Sequence, residues 1–178
     1  MLRRIAKGLV WTSLLALFSC AELERRREPD LLHLRRSEVA RLSRPARLAN
    51  YVPQVTAKNS WRIHSSLAPV AALADGDPSS SAGSAGPCQP SQWILVDLGD
   101  DCLFQQVIQW HPAESWPPRF RIDVADQRGF PYELVYLGTG TADCTTAILA
   151  HPVRARFVRI TTLEAAPRPW GVSELEIR

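Results

Sequence analysis

Four histidines and three downstream cysteines are the side chains most suited to chemistry, and their spacing argues against catalysis. His33, His64, His111 and His151 are scattered along the chain. No nucleophile elbow, His-Glu-x-x-His helix motif or phosphate loop accompanies them. Gly138-Thr139-Gly140 makes a poor phosphate cradle, because no helix is expected after it. Glycoside hydrolysis needs two facing carboxylates, and no pair stands out among the acids. Cys88, Cys102 and Cys144 lack the close Cys-x-x-Cys or His spacing of a zinc site. Enzymatic activity is therefore the minor reading.

Binding chemistry is better represented. Trp61, Arg62, His64, His111, Trp116 and Arg119 supply aromatic faces and hydrogen-bond donors. A sugar site uses these types: an apolar sugar face stacks on a ring while Arg and His donate to hydroxyls.

The elements that must position them are short apolar/polar alternations bounded by Gly, Pro or Asp. They run Trp93-Ile94-Leu95-Val96-Asp97-Leu98-Gly99, Val107-Ile108-Gln109-Trp110, Phe120-Arg121-Ile122-Asp123-Val124, Arg156-Phe157-Val158-Arg159-Ile160 and Trp170-Gly171-Val172-Ser173-Glu174-Leu175-Glu176-Ile177. Further strands are expected at Glu133–Leu137 and Thr145–Leu149, with a turn at Asp126–Gly129. Period-two segments without helical spacing predict an all-β sandwich or barrel. Trp93 and Trp110, at strand ends, are expected in the core. If strands alternate in direction, the loops 61–67, 79–92, 111–118, 138–144 and 164–169 share one end. The low-complexity loop 77–90 is long enough to expect a function or mobility. Alternation also places Cys88 and Cys144 together and so favours that disulfide, although three pairings remain open.

The first fifty residues differ in kind. Arg3, Arg4 and Lys7 precede an apolar run from Gly8 to Phe18 that is shorter than the roughly 20 residues needed to span a bilayer. This predicts a signal peptide over residues 1–20. Leu17-Phe18-Ser19-Cys20 resembles a bacterial lipobox, with Cys20 as the lipidated residue, although Phe18 departs from the usual pattern. An ordinary signal peptide or uncleaved anchor is the alternative. Ala21 resembles the residue that sends lipoproteins to the outer membrane, which implies an outer-membrane or surface location, or otherwise a periplasmic or secreted one. Residues 21–50 read as an arginine-rich tether with eight arginines and five acids, and Asp30–Leu42 as a short amphipathic helix.

This division reinterprets the formal charge of +3. From Tyr51 onward the chain carries ten basic and thirteen acidic residues. The domain over 51–178 is mildly acidic, and a nucleic-acid partner is not expected.

The ordered motifs Asp75-Gly76-Asp77-Pro78, Trp93–Gly99, Val107–Trp110, Phe120–Ala125, Ala155–Ile160 and Trp170–Glu176 resemble the discoidin, or coagulation factor five/eight type C, family across Val55–Ile177. The resemblance implies an eight-stranded jelly-roll sandwich of the galactose-binding type, with ligand loops at one end. It brings Trp61, Arg62, His64, His111, Trp116 and Arg119 together as the ligand site. It also implies one structural Ca²⁺ held by Asp75, Asp77, Ser80 and Glu174, and an Asp97–Arg159 ion pair. Where the family usually carries Thr-x-Trp after its Asp-Gly, Ser80 and Ala82 hold those places. The expected function is an envelope-anchored, non-catalytic carbohydrate-binding module. The alternative is a protein-interaction or adhesion module that docks onto an envelope or secreted partner.

Overall fold

The computed structural model describes residues 55–126 and 130–178. The signal peptide, Cys20, the tether with its helix, and most of the Asp126–Gly129 turn lie outside the described residues. Eight strands follow in order: β1 (Arg62–Ser65), β2 (Ala82–Gly83), β3 (Trp93–Trp110), β4 (Phe120–Ala125), β5 (Glu133–Gly138), β6 (Cys144–Thr162), β7 (Gly171–Val172) and β8 (Glu174–Ile177). Helical structure among the described residues is limited to 3₁₀ turns at Lys58–Ser60 and Val70–Leu73.

Two expected pairs of strands are continuous. β3 absorbs the segments beginning at Trp93 and Val107, and β6 absorbs those at Thr145 and Arg156. Each long strand serves two wings of the sandwich. The first half of β3 lies between β1 and the second half of β6, and β4 and β5 extend that wing to five strands. The second half of β3 lies between β8 and the first half of β6, which makes a three-stranded wing. All these pairings are antiparallel, and a short β2–β7 ladder stands beside them.

The junction between wings is an irregularity in the ladder, between segments expected as separate strands. Register shifts fall between Asp97 and Cys102 and between Phe104 and Gln106. At the second shift the N–H groups of Gln105 and Gln106 both donate to the Arg178 carbonyl, each at 2.7 Å. One extra residue in a strand bends it and reverses which side chains face inward. Before the shift Ile94, Val96, Leu98, Cys102 and Phe104 are buried; after it Gln105, Val107, Ile108 and Gln109 are, and Trp110 is not. Gly99, at φ +85°, takes a left-handed conformation that glycine adopts without steric penalty.

Trp93 and Trp110, both expected in the core, lie outside it, and the reversal accounts for Trp110. Trp110 faces outward from the three-stranded wing, 42 % exposed, with Nε1 donating to Glu176 Oε1 at 2.9 Å. Trp93 is half-buried, opposite in phase to Ile94. Among the described residues the tryptophan fully inside is Trp170, which joins Phe104, Phe120, Ile122, Ile160, Leu149 and Leu175 in one core fed by both wings. Burying each such side chain stabilises the fold by about 1.5–3 kcal/mol.

The Asp97 ion pair also differs from expectation. Arg156 grips Asp97 through Nε to Oδ1 at 2.6 Å and an Nη to Oδ2 at 2.9 Å. Arg159 instead stands across from Leu95 and Asp123 in the ladder. Burial raises the Asp123 carboxyl, against the opposing pull of Arg121 and Arg159.

Candidate functional site

Register decides which loops meet. Ser65 pairs with Ile94, Trp93 with Thr161, and Phe120 with both Thr162 and Gly138. These residues mark one end of the five-stranded wing. The connections after β1, before β4, after β5 and after β6 all leave from it. Backbone hydrogen bonds stitch them together: Gly140 N–H to Pro117 O at 3.0 Å, Leu163 N–H to Arg119 O at 2.9 Å, Cys88 N–H to Arg168 O at 2.8 Å and Gly171 N–H to Ser115 O at 2.7 Å.

Three charged side chains and one indole meet on the rim so formed. The Arg168 guanidinium lies over the Trp116 ring, 4.3 Å from its centroid, and its Nε donates to the Trp116 carbonyl at 3.0 Å. Stacking of this kind is worth about 0.5–1 kcal/mol at an exposed site. Arg119 pairs with Glu164 at 3.2 Å; both remain partly exposed. Arg168 and Glu164 come from a loop expected at this end but not assigned a role. Pro167 and Pro169 around Arg168 were the available signal.

Other expected site residues go elsewhere. Arg62 starts β1 opposite Asp97, at the far end of the wing, roughly 15 Å along the strands from the rim. Trp61 precedes it, packed against the core with Nε1 donating to Thr56 O at 3.2 Å. His64 is exposed on β1, opposite Leu95. The loop-counting argument failed here because residues 62–65 are a strand crossing the sheet. His111 belongs to the rim but faces inward, 7 % exposed. Its Nδ1 contacts the Gly171 carbonyl at 2.7 Å, so Nδ1 carries the proton; Nε2 faces the Thr145 hydroxyl at 2.8 Å. Burial lowers its basicity, so the ring is held neutral. It ties its own loop to β6 and β7, and both ring nitrogens are engaged in doing so.

The expected Cys88–Cys144 bridge is not formed; Cys88, Cys102 and Cys144 are free thiols. Cys88 is buried in the core, with its sulfur 3.8 Å from Glu164 O. Cys144 lies beside Thr146 at the start of β6, opposite outward-facing Trp110. Burial raises the Cys88 thiol.

The acidic set expected to bind calcium divides in two. Asp75 accepts from Asp77 N–H at 2.9 Å and from the Ser80 hydroxyl at 2.7 Å. Asp77 accepts from Ser79 N–H and from its hydroxyl, the bond that does most to lower the Asp77 carboxyl. Glu174 is separately engaged, by the Lys58 ammonium and by Gly76 N–H at 3.0 Å. Gly76 turns at φ +78° to present that N–H. Among the described residues no three His, Cys, Asp or Glu side chains group as a metal site.

A family model for the F5/8 type C domain matches residues 54–176. The chain belongs to this family. Solved structures share the fold of this F5/8 type C domain. A family 32 carbohydrate-binding module of C. perfringens NanJ, in complex with galactose, superposes with a TM-score of 0.61 at 14% identity, over 71% of this chain and 98% of that one. Chitosan-binding module 1 of a Paenibacillus sp. IK-5 chitosanase/glucanase gives 0.58 at 25% identity, with the same coverages of 71% and 98%. The family 32 module of AlyQ, in complex with 4,5-unsaturated mannuronic acid, gives 0.55 at 20% identity, over 72% and 98%. No curated protein sequence matches the chain.

Proposed function

We propose that this F5/8 type C domain is a non-catalytic carbohydrate-binding module whose ligand docks on the Trp116, Arg119 and Arg168 rim. The observation that carries this reading is the convergence of an indole and two guanidiniums on four loops joined by backbone hydrogen bonds. Galactose, chitosan and uronic-acid modules with the same fold support it. Glu164 is neutralised by Arg119, which suits binding better than acid–base work. Lipid attached at Cys20 would display the module on the outer membrane or cell surface. Two acyl chains hold firmly where one gives only marginal binding.

A glycan array followed by calorimetry with galactosides, chitosan oligomers and uronates tests the site. Trp116→Ala and Arg168→Ala should each weaken binding more than about tenfold, or 1.4 kcal/mol. Arg62→Ala, at the opposite end, should leave it unchanged. If no glycan binds with sub-millimolar affinity, or the rim variants match wild type, the sugar reading fails. Palmitate labelling of the wild type but not of Cys20→Ser tests the anchor.

One observation favours a second reading. Position 82, where the family usually carries an aromatic, is a fully buried alanine. The rim then has fewer stacking surfaces and suits docking onto an envelope or secreted protein. Capture of a partner that survives excess free sugar would favour it.

A further inference from the structure

Glu174 is 11% exposed in its side chain and sits at the start of β8, where an unpaired carboxylate would be costly. Its two oxygens have different partners from distant parts of the chain. Oε1 meets the Lys58 ammonium, from the 3₁₀ turn before β1. Oε2 accepts from Gly76 N–H, in the turn that also holds Asp75 and Asp77. One carboxylate thereby ties the N-terminal segment, the Asp75–Ser80 turn and β8 together.

A calcium ion bound here would need six to eight oxygens at 2.3–2.6 Å, by the usual preference of this cation. The donor set does not fit. Lys58 occupies Oε1 of Glu174 and Gly76 N–H occupies Oε2, so a cation at this carboxylate would stand close to the ammonium and be repelled by it. The Asp75 oxygens are turned to Asp77 N–H and the Ser80 hydroxyl within their own turn.

We propose that Lys58 is the resident counter-ion of Glu174 and takes the structural role expected of calcium, so that the Asp75–Ser80 turn is set without a metal. A tethered ammonium cannot be chelated or diluted away. This holds whether or not the rim binds sugar.

Thermal unfolding of the full chain, followed by tryptophan fluorescence in excess EDTA and in millimolar calcium chloride, tests it. The midpoint should agree between the two within about 1 °C, whereas a site filled to a hundred times its Kd would raise it by roughly 10 °C. Lys58→Met strands the carboxylate and should lower the midpoint by roughly 5 °C, and adding Glu174→Gln should restore most of the loss. A calcium-dependent rise in the wild type overturns the proposal, as does a Lys58→Met variant that unfolds at the wild-type temperature. If Lys58→Met does not fold, Lys58→Arg carries the variant arm. It keeps the pair and should remain indifferent to calcium; a calcium response in it overturns the proposal equally.

Discussion

Gly140 offers a direct test of how tightly the rim is built. A Cβ placed there would stand 2.3 Å from Pro117 O and 2.9 Å from Pro117 Cδ. Its backbone is not in the left-handed region, so alanine is conformationally acceptable and the penalty is steric alone. Ordinary van der Waals contact requires the 111–119 loop to retreat by about 1 Å. Overpacking of this size costs roughly 1–3 kcal/mol, and the Gly140 N–H bond to Pro117 O contributes about 1 kcal/mol that is weakened with it. Gly140→Ala should therefore unfold roughly 10 °C below wild type. The retreat carries Trp116, the neighbour of Pro117, away from Arg168, so glycan binding at the rim should fall well before the fold is lost. Gly86→Ala is the control. A Cβ there meets nothing within 4 Å, and removing chain entropy from the unfolded state should make it neutral or slightly stabilising. Denaturant and thermal unfolding of both variants decide the matter. A Gly140→Ala protein within about 0.5 kcal/mol of wild type, the range of an unconstrained surface change, would refute the tight abutment of these loops.

Four further outcomes follow from the ionisable groups. His111 is buried and neutral, so the unfolded chain binds its proton more readily; stability should fall as pH drops below the ordinary histidine value of 6.5, and His111→Gln should remove that dependence in thermal melts. Asp97, held down chiefly by its hydrogen bonds to Arg156, contributes stability present above its ordinary value of 3.8 and lost as pH falls through its lower folded value. With side chains 14% and 27% exposed, the pair lies between surface and buried cases. Asp97→Asn should cost about 2 kcal/mol at neutral pH and little in acid. Asp123 has the opposite sign. Burial raises it, so its ionised form weakens the fold as pH climbs through the raised value, and Asp123→Asn should unfold no earlier than wild type at pH 7. Thiol titration should label Cys144 in the native protein, and Cys88 and Cys102 only after unfolding; a mass lower by two hydrogens would instead reveal a disulfide.

Strand identity was legible because half-buried strands write their period into sequence: Ile94, Val96 and Leu98 alternate with Trp93, Leu95 and Asp97. The inserted residue near Gln105 was not legible. A bulge is stabilised by a distant carbonyl, that of Arg178, and leaves no local composition signal. The phase change it causes turns Trp110 outward, where a strand-end tryptophan was expected in the core. The Asp97 partner was missed for a related reason: the interrupted register beyond Asp97 brings in Arg156, three positions before the expected Arg159.

The same geometry explains why the candidate site was only half legible. Trp116 and Arg119 lie beside β4, whose start is fixed by unbroken pairing to Gly138 and Thr162, so an argument from strand order reaches them. Arg62 lies on β1, whose direction across the sheet follows from pairing to β3 and not from its own four residues. Composition could nominate His111 but could not reveal that both ring nitrogens serve the scaffold. Arg168 shows the converse. Its use depends on a backbone carbonyl and an indole more than fifty residues away, so the sequence gives its location without its role. A rim made of loop residues that satisfy one another across the chain is rigid for that reason, and a glycan docked as proposed would compete for those few groups. Specificity in this domain should then follow the Trp116–Arg168 stack and the Arg119–Glu164 pair, which are held in place before any ligand arrives.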